Sequence, residues 1–178
     1  MACTRIISVI GKKNAGKTTL VVALAQEFVR RGKRVGTIKH GHHPALVDRE
    51  GKDTWRHYFE GKAAKTLIES PGQRVLFERV GEEPADPVDL VRAHFADTEI
   101  VIVEGFKRAR LPKIEVHRMT EHAAPLYDPS QPQADEWVAM LTDDRALRMP
   151  FPVFNFTDTA WFTSLAALAW IRAFEVEA

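Results

Sequence analysis

Arg5-Ile6-Ile7-Ser8-Val9-Ile10 runs directly into Gly11-Lys12-Lys13-Asn14-Ala15-Gly16-Lys17-Thr18, and the second stretch matches the GxxxxGK[ST] phosphate-binding pattern. The first stretch reads as a buried strand, because Ile6, Ile7, Val9 and Ile10 are β-branched and no charge interrupts them. After the glycine-rich turn the period changes. From Lys17 to Arg31, Leu20, Leu24 and Phe28 share one helical face, widened by Val21 and Ala25. Arg30 and Arg31 suit the negative end of that helix, and Gly32 suits its C-terminal cap. Arg34 to Lys39 then reads as a second strand. A strand, a crossing helix and a strand make a βαβ unit. The expected class is therefore α/β, a P-loop NTPase-type three-layer fold with a mainly parallel central sheet.

The residue types of the loop follow from what a phosphate needs. Gly11 permits a sharp turn, Gly16 permits close backbone approach, and successive amides surround the anion at a helix start of partial positive charge. Lys17 is expected at the β- and γ-phosphates and the Thr18 hydroxyl on Mg²⁺. The bland alternative is a tight turn with Lys17 solvated. With glycine near 7% of residues, the four fixed positions arise by chance with odds of order one in a hundred or less in a chain this long. Lys12 and Lys13 either strengthen the anionic site or are solvated loop charges, and Thr19 either faces the phosphates or bonds its own backbone.

The 178 residues suit one domain, or one domain with a small appendage, and residues 1–178 are expected to form a single nucleotide-binding domain. An apolar content of 45% with 28% charged residues excludes global disorder. The net charge of +1 makes no broad case for nucleic acid or an anionic membrane as partner. The single cysteine, Cys3, cannot form an internal disulfide. The longest apolar-rich stretch, Ala160 to Ile171, is too short to cross a hydrocarbon layer, which takes roughly 20 residues, so a cytoplasmic address is expected.

Farther along, His40 to Lys52 is expected to be a loop and Asp53 to Gly61 a short helix. Lys65 to Glu69 and Arg74 to Phe77 read as strands around Pro71-Gly72, and a helix is expected near Val88 to Phe95. Ile100 to Val103, Ile114 to His117 and Val138 to Leu141 read as strands, with a long surface loop from Ala123 to Glu136. Phe151 to Phe154 is expected as the final strand, and Thr159 to Phe174 as the closing helix.

Glu104 stands where the Ile100-Val101-Ile102-Val103 strand ends, and ligands gather at the carboxyl ends of strands in open α/β sheets. It is placed to hold Mg²⁺ or orient a water, or to face solvent and pair with Lys107 or Arg108. Asp53 is either a second Mg²⁺ carboxylate or the N-cap of its helix. Lys39-His40-Gly41-His42-His43 is dense in histidine. It reads as a basic rim over the phosphates or as an exposed loop; a structural zinc lacks a fourth ligand.

The chain resembles the molybdopterin-guanine dinucleotide biosynthesis adapter protein family (MobB). Beyond Gly11 to Thr18, the resemblance rests on Ile38-Lys39-His40-Gly41-His42-His43, Gly51-Lys52-Asp53-Thr54, Val103-Glu104-Gly105-Phe106-Lys107, Ile114-Glu115-Val116-His117-Arg118 and Leu141-Thr142-Asp143, in that order. It implies GTP and Mg²⁺ binding, weak GTPase activity, a homodimer, and assistance to the guanylyltransferase that attaches GMP to molybdopterin. It also implies that Lys39, His40, His42 and His43 form a ligand-facing basic surface, and that Asp143 lies near the guanine end. Molybdopterin or its guanine dinucleotide product is the implied second ligand. The competing reading is an ATP-dependent small-molecule kinase with the same phosphate loop; a dimer with a vestigial nucleotide site is a third.

Overall fold

The first strand of the molecule, β1 (Cys3–Gly11), is its axis. In the computed structural model, which describes residues 3–41, 43, 45, 46 and 48–177, β1 pairs in parallel with β5 (Ile100–Glu104), from Arg5 opposite Ile100 to Val9 opposite Glu104. Its other edge is shared by two strands. β6 (Lys113–His117) runs parallel to Ser8–Gly11, while β9 (Phe174–Glu177) runs antiparallel to Cys3–Ile6. With β2 (Val35–Lys39), β7 (Trp137–Thr142) and β8 (Val153–Asn155), the sheet has seven strands in the order β2-β5-β1-β6-β7-β8, with β9 beside β1. Every pairing except that of β9 is parallel.

Alternation along β1 sends Ile7 and Val9 to one face and Ile6 to the other. On the first face lie α1 (Lys17–Arg30), through Leu20, Leu24 and Phe28, and α4 (Trp161–Arg172), through Leu165, Ala166 and Ala169. On the second lies α3 (Pro87–His94), through Val91. Helices on both faces of a mainly parallel sheet make the expected three-layer α/β architecture.

Local chemistry sets the ends of these elements. At the end of α1, the Gly32 amide donates to Val29 and the Lys33 amide to Phe28, which closes the last turn. Asp86 caps α3 by accepting from the Val88 amide, with Pro87 at the first helical position. Two charges inside β6 are buried with full sets of partners. The Lys113 ammonium donates to the carbonyls of Ala109 (2.7 Å) and Leu111 (3.3 Å) and to the Glu136 carboxylate. Glu115 accepts from the amides of Leu126 and Tyr127 and from Trp137 Nε1, so it pins the loop that leads to β7.

By its own contacts the chain divides into two units: residues up to His40 together with those from Ala85 onward, and Gly41–Pro84. The second unit holds α2 (Asp53–Phe59) and a two-stranded hairpin of β3 (Lys65–Ser70) and β4 (Gln73–Glu78). Tyr58 of α2 meets Phe77 of β4 at 6.4 Å between ring centroids, and the Arg79 guanidinium stacks on Tyr58 at 4.2 Å.

Three expectations need correction. The closing helix ends at Arg172, not Phe174, because Ala173 turns extended and the chain leaves as a strand. That strand, β9, follows Val153–Asn155, so the 151–154 segment is not the last strand. Asp53 is not the cap of α2; Lys52 occupies the cap and Asp53 is the first helical residue. Among the described residues, no helix is long and apolar enough to cross a membrane.

Candidate functional site

At the carboxyl end of β1 the chain turns at Gly11, whose φ is +152°, hard against the next strand. A β-carbon there would lie 2.4 Å from the Val116 carbonyl oxygen of β6, so only glycine fits. Asn14 adopts the left-handed region at φ +62°, Ala15 is buried, and Gly16 opens α1 as its N-cap at φ +101°. No side chain caps this helix and no acidic residue stands in its first turn. Its first amides and its positive dipole end are therefore left for an outside anion.

Lys17 folds back over the loop and donates to the Lys12 carbonyl at 2.8 Å. Partial burial pulls its ammonium below the ordinary lysine value; Glu104 opposes this, while the charges of Lys107 and Lys39 add to it. A phosphate would relieve that crowding. The Thr18 hydroxyl lies 3.0 and 2.9 Å from the two carboxylate oxygens of Glu104 at the end of β5. Glu104 is only 9% exposed, and the Lys39 ammonium at the end of β2 is 3.7 Å away. Glu104 thus faces Thr18 and Lys39; its expected alternative partners, Lys107 and Arg108, form no ion pair with it.

The turn after Glu104 is held tightly. Ser8 Oγ donates to the Gly105 carbonyl at 2.8 Å, the Gly105 amide donates to Val9, and the His40 amide donates to the Glu104 carbonyl at 3.0 Å. The His40 ring packs on Phe106 at 4.7 Å between centroids. The structure so brings together Gly11 to Thr18, Lys39, His40 and Glu104. Thr19 is exposed in the first turn of α1. Asp143 follows β7 and accepts from the Met119 amide at 2.7 Å. Asp53 and His43 belong to the second unit, and His42 lies outside the described residues.

The donor set suits Mg²⁺, a hard cation that takes oxygen ligands: a hydroxyl and a mostly buried carboxylate already meet here. Among the described residues, no three His, Cys, Asp or Glu side chains gather to hold a metal by themselves, so phosphate oxygens and water would complete the shell.

Sequence reading missed a second ring of contacts. The Lys12 ammonium donates to the Ala124 carbonyl at 2.7 Å, and His122 Nε2 lies 2.7 Å from the Lys13 carbonyl. Behind it, buried His117 places Nε2 2.9 Å from the His122 carbonyl and Nδ1 3.1 Å from the Thr142 hydroxyl. The available signal was His117 itself, a polar residue at the carboxyl end of an inner strand. A cavity of about 360 Å³ lined by Tyr127, Trp137 and Phe151 lies at the amino ends of β7 and β8, the opposite end of the sheet from this site.

Residues 6–143 match the family model described as "Molybdopterin guanine dinucleotide synthesis protein B". A Haemophilus influenzae molybdopterin-guanine dinucleotide biosynthesis adapter protein is 34% identical over 81% of this chain and 77% of its own length. The adapter protein of that name from Escherichia coli is 38% identical over 58% of this chain and 59% of its own. The crystal structure of a MobB homolog from Bacillus stearothermophilus superposes with a TM-score of 0.63 at 25% identity, covering 94% of this chain and 99% of that one. The match takes in both strand ends of the site, the Gly11–Thr18 loop and Glu104, and the chain belongs to the MobB family.

Proposed function

We propose that this protein is a cytoplasmic GTP-binding adapter with weak Mg²⁺-dependent GTPase activity that assists molybdopterin guanine dinucleotide biosynthesis. The observation that carries the nucleotide part is the meeting of Thr18 and Glu104 at the open, uncapped start of α1. The adapter part rests on family membership and on the names of the relatives.

In this reading the amides of the Gly11–Thr18 loop receive the phosphates, and Lys17 exchanges the Lys12 carbonyl for phosphate oxygen. Thr18 and Glu104 would hold Mg²⁺, which when bound screens phosphate charge. Lys39 and His40 line the phosphate end, and Asp143 serves the guanine end. Glu104 is committed to Thr18, which makes it a holder of metal rather than a base for water, and slow turnover follows.

The partners are a second copy of the chain, the guanylyltransferase, and molybdopterin or its dinucleotide product. A homodimer is supported by the hairpin of the second unit. Leu67 stands opposite Leu76, 54% and 45% exposed, between the Lys65–Glu78 and Glu69–Arg74 ion pairs. That outward apolar pair would be covered by a neighbour.

Capture of purified guanylyltransferase on the immobilised protein, loaded with GTP, GDP or nothing, tests the adapter reading. Retention that depends on the bound nucleotide is expected. Absence of retention in all three states, or transfer of the γ-phosphate to a metabolite, would overturn it.

A further inference from the structure

A P-loop binds phosphate with backbone amides, so each peptide plane must be turned with its N–H inward. The planar trans peptide sets N–H and C=O on opposite sides, so whatever holds the carbonyl also aims the amide of the next residue. In this chain the Lys13 carbonyl is held from outside the loop by His122 Nε2 at 2.7 Å. A carbonyl cannot donate, so Nε2 carries the proton. We infer that His122 is a positioning residue: by holding the Lys13 carbonyl outward it aims the Asn14 amide into the phosphate cradle and pre-organises the loop for a polyphosphate.

His122 is itself positioned. Its carbonyl accepts from His117 Nε2 at 2.9 Å, and His117 is 3% exposed. With its Nε2 proton so used, His117 Nδ1 accepts from the Thr142 hydroxyl at 3.1 Å, and that oxygen accepts in turn from the Asp144 amide at 3.1 Å. The anchor is thus the buried end of β7. Two residues beyond His122, the Ala124 carbonyl accepts from the Lys12 ammonium at 2.7 Å, so the segment after β6 grips the loop at consecutive residues. Asn14 sits in the left-handed region at φ +62°, which asparagine tolerates better than most residues, so the turn that presents its amide is open to this side chain.

The inference rests on the nucleotide-binding reading and is tested with the whole chain. Inorganic tripolyphosphate and GTP are titrated by calorimetry into wild type, His122→Leu, His122→Asn and His122→Gln. Leucine removes the donor, asparagine is too short to reach, and glutamine offers an N–H at similar reach. Tripolyphosphate and GTP affinities are expected to fall together by about tenfold in the Leu and Asn variants, the size of one hydrogen bond, with recovery in Gln. Thermal midpoints should not track this order. Equal affinity in wild type and both loss variants, or a loss that Gln fails to rescue, overturns the inference alone. A wild type that binds neither probe overturns the nucleotide reading along with it. If His122→Leu does not fold, His122→Asn decides.

Discussion

The hydroxyl of Thr18, in the first turn of α1, is shared between both carboxylate oxygens of Glu104 at 3.0 and 2.9 Å. Two segments 86 residues apart in the chain meet there because β5 lies beside β1 and the register sets Glu104, the end of β5, opposite Val9, two residues before β1 ends at Gly11. A carboxylate this buried is costly to desolvate unless partnered. Its partners in this structure are the groups that would surround a metal-bound phosphate. Glu104→Gln keeps the size and an acceptor for Thr18 but removes the charge. Unfolding stability should change by about 1 kcal/mol or less, while the Mg²⁺-dependent part of GTP affinity falls about tenfold or more. Titrations with and without Mg²⁺ measure the two parts; an unchanged metal effect contradicts the role.

Gly11→Ala should be among the more damaging single substitutions. Its β-carbon would lie 2.4 Å from a backbone oxygen in the middle of the sheet, and φ there is +152°. A destabilisation of about 2–4 kcal/mol is expected from the overlap and the backbone strain together. Urea unfolding measures it, and a loss under 1 kcal/mol would show that the turn yields.

Much of this was legible in the chain because it depends on local pattern. The strand-glycine-helix grammar around Gly11 located the loop, and an apolar run ending in Glu104 located its acidic partner. What escaped depends on distance in sequence. β9 has only Val176 buried among its four residues, and Phe174-Glu175-Val176-Glu177 reads as the tail of α4 until Cys3–Ile6 is seen to leave an edge beside it. Arg5 and Glu175 then pair across that edge. His122 carried no signal either, since its partner, the Lys13 carbonyl, is a backbone atom 109 residues away. Of the two uses open to Asp53, the cap is excluded because the helix starts one residue earlier than that use needs.

Triphosphate binding should weaken at alkaline pH sooner than an ordinary lysine would require. Burial depresses the Lys17 ammonium, and a bound polyanion restores it, so binding takes up protons as pH approaches the free-state value from below. Affinity therefore falls as pH rises through that value, with proton uptake visible as a buffer-dependent heat. In Lys17→Arg, whose charge persists, the decline should vanish. A parallel decline in both proteins would place its origin elsewhere.

Glu27 makes a separate prediction about acid. Hydrogen bonds from Arg30 and then Arg31 hold its carboxylate at about 2, against an ordinary 4.5. A depressed carboxylate contributes stability above the ordinary value and loses it as pH falls toward the depressed one. Wild type and Glu27→Gln should accordingly differ in thermal midpoint at pH 7 and converge between pH 4.5 and about 2. A difference that stays constant over that range would mean that the pairing does not stabilise α1.

On the nucleotide reading, the turn between β1 and α1 takes a magnesium-bound guanine nucleotide. Calorimetric titration of nucleotide-free protein with GTP and ATP, each with and without Mg²⁺, and of Lys17→Ala alongside, tests it most directly. Saturable uptake is expected, Mg²⁺-dependent, tighter for GTP than for ATP, and lost in the variant. Equal uptake by the variant, or none by a folded wild type with either nucleotide, would contradict it.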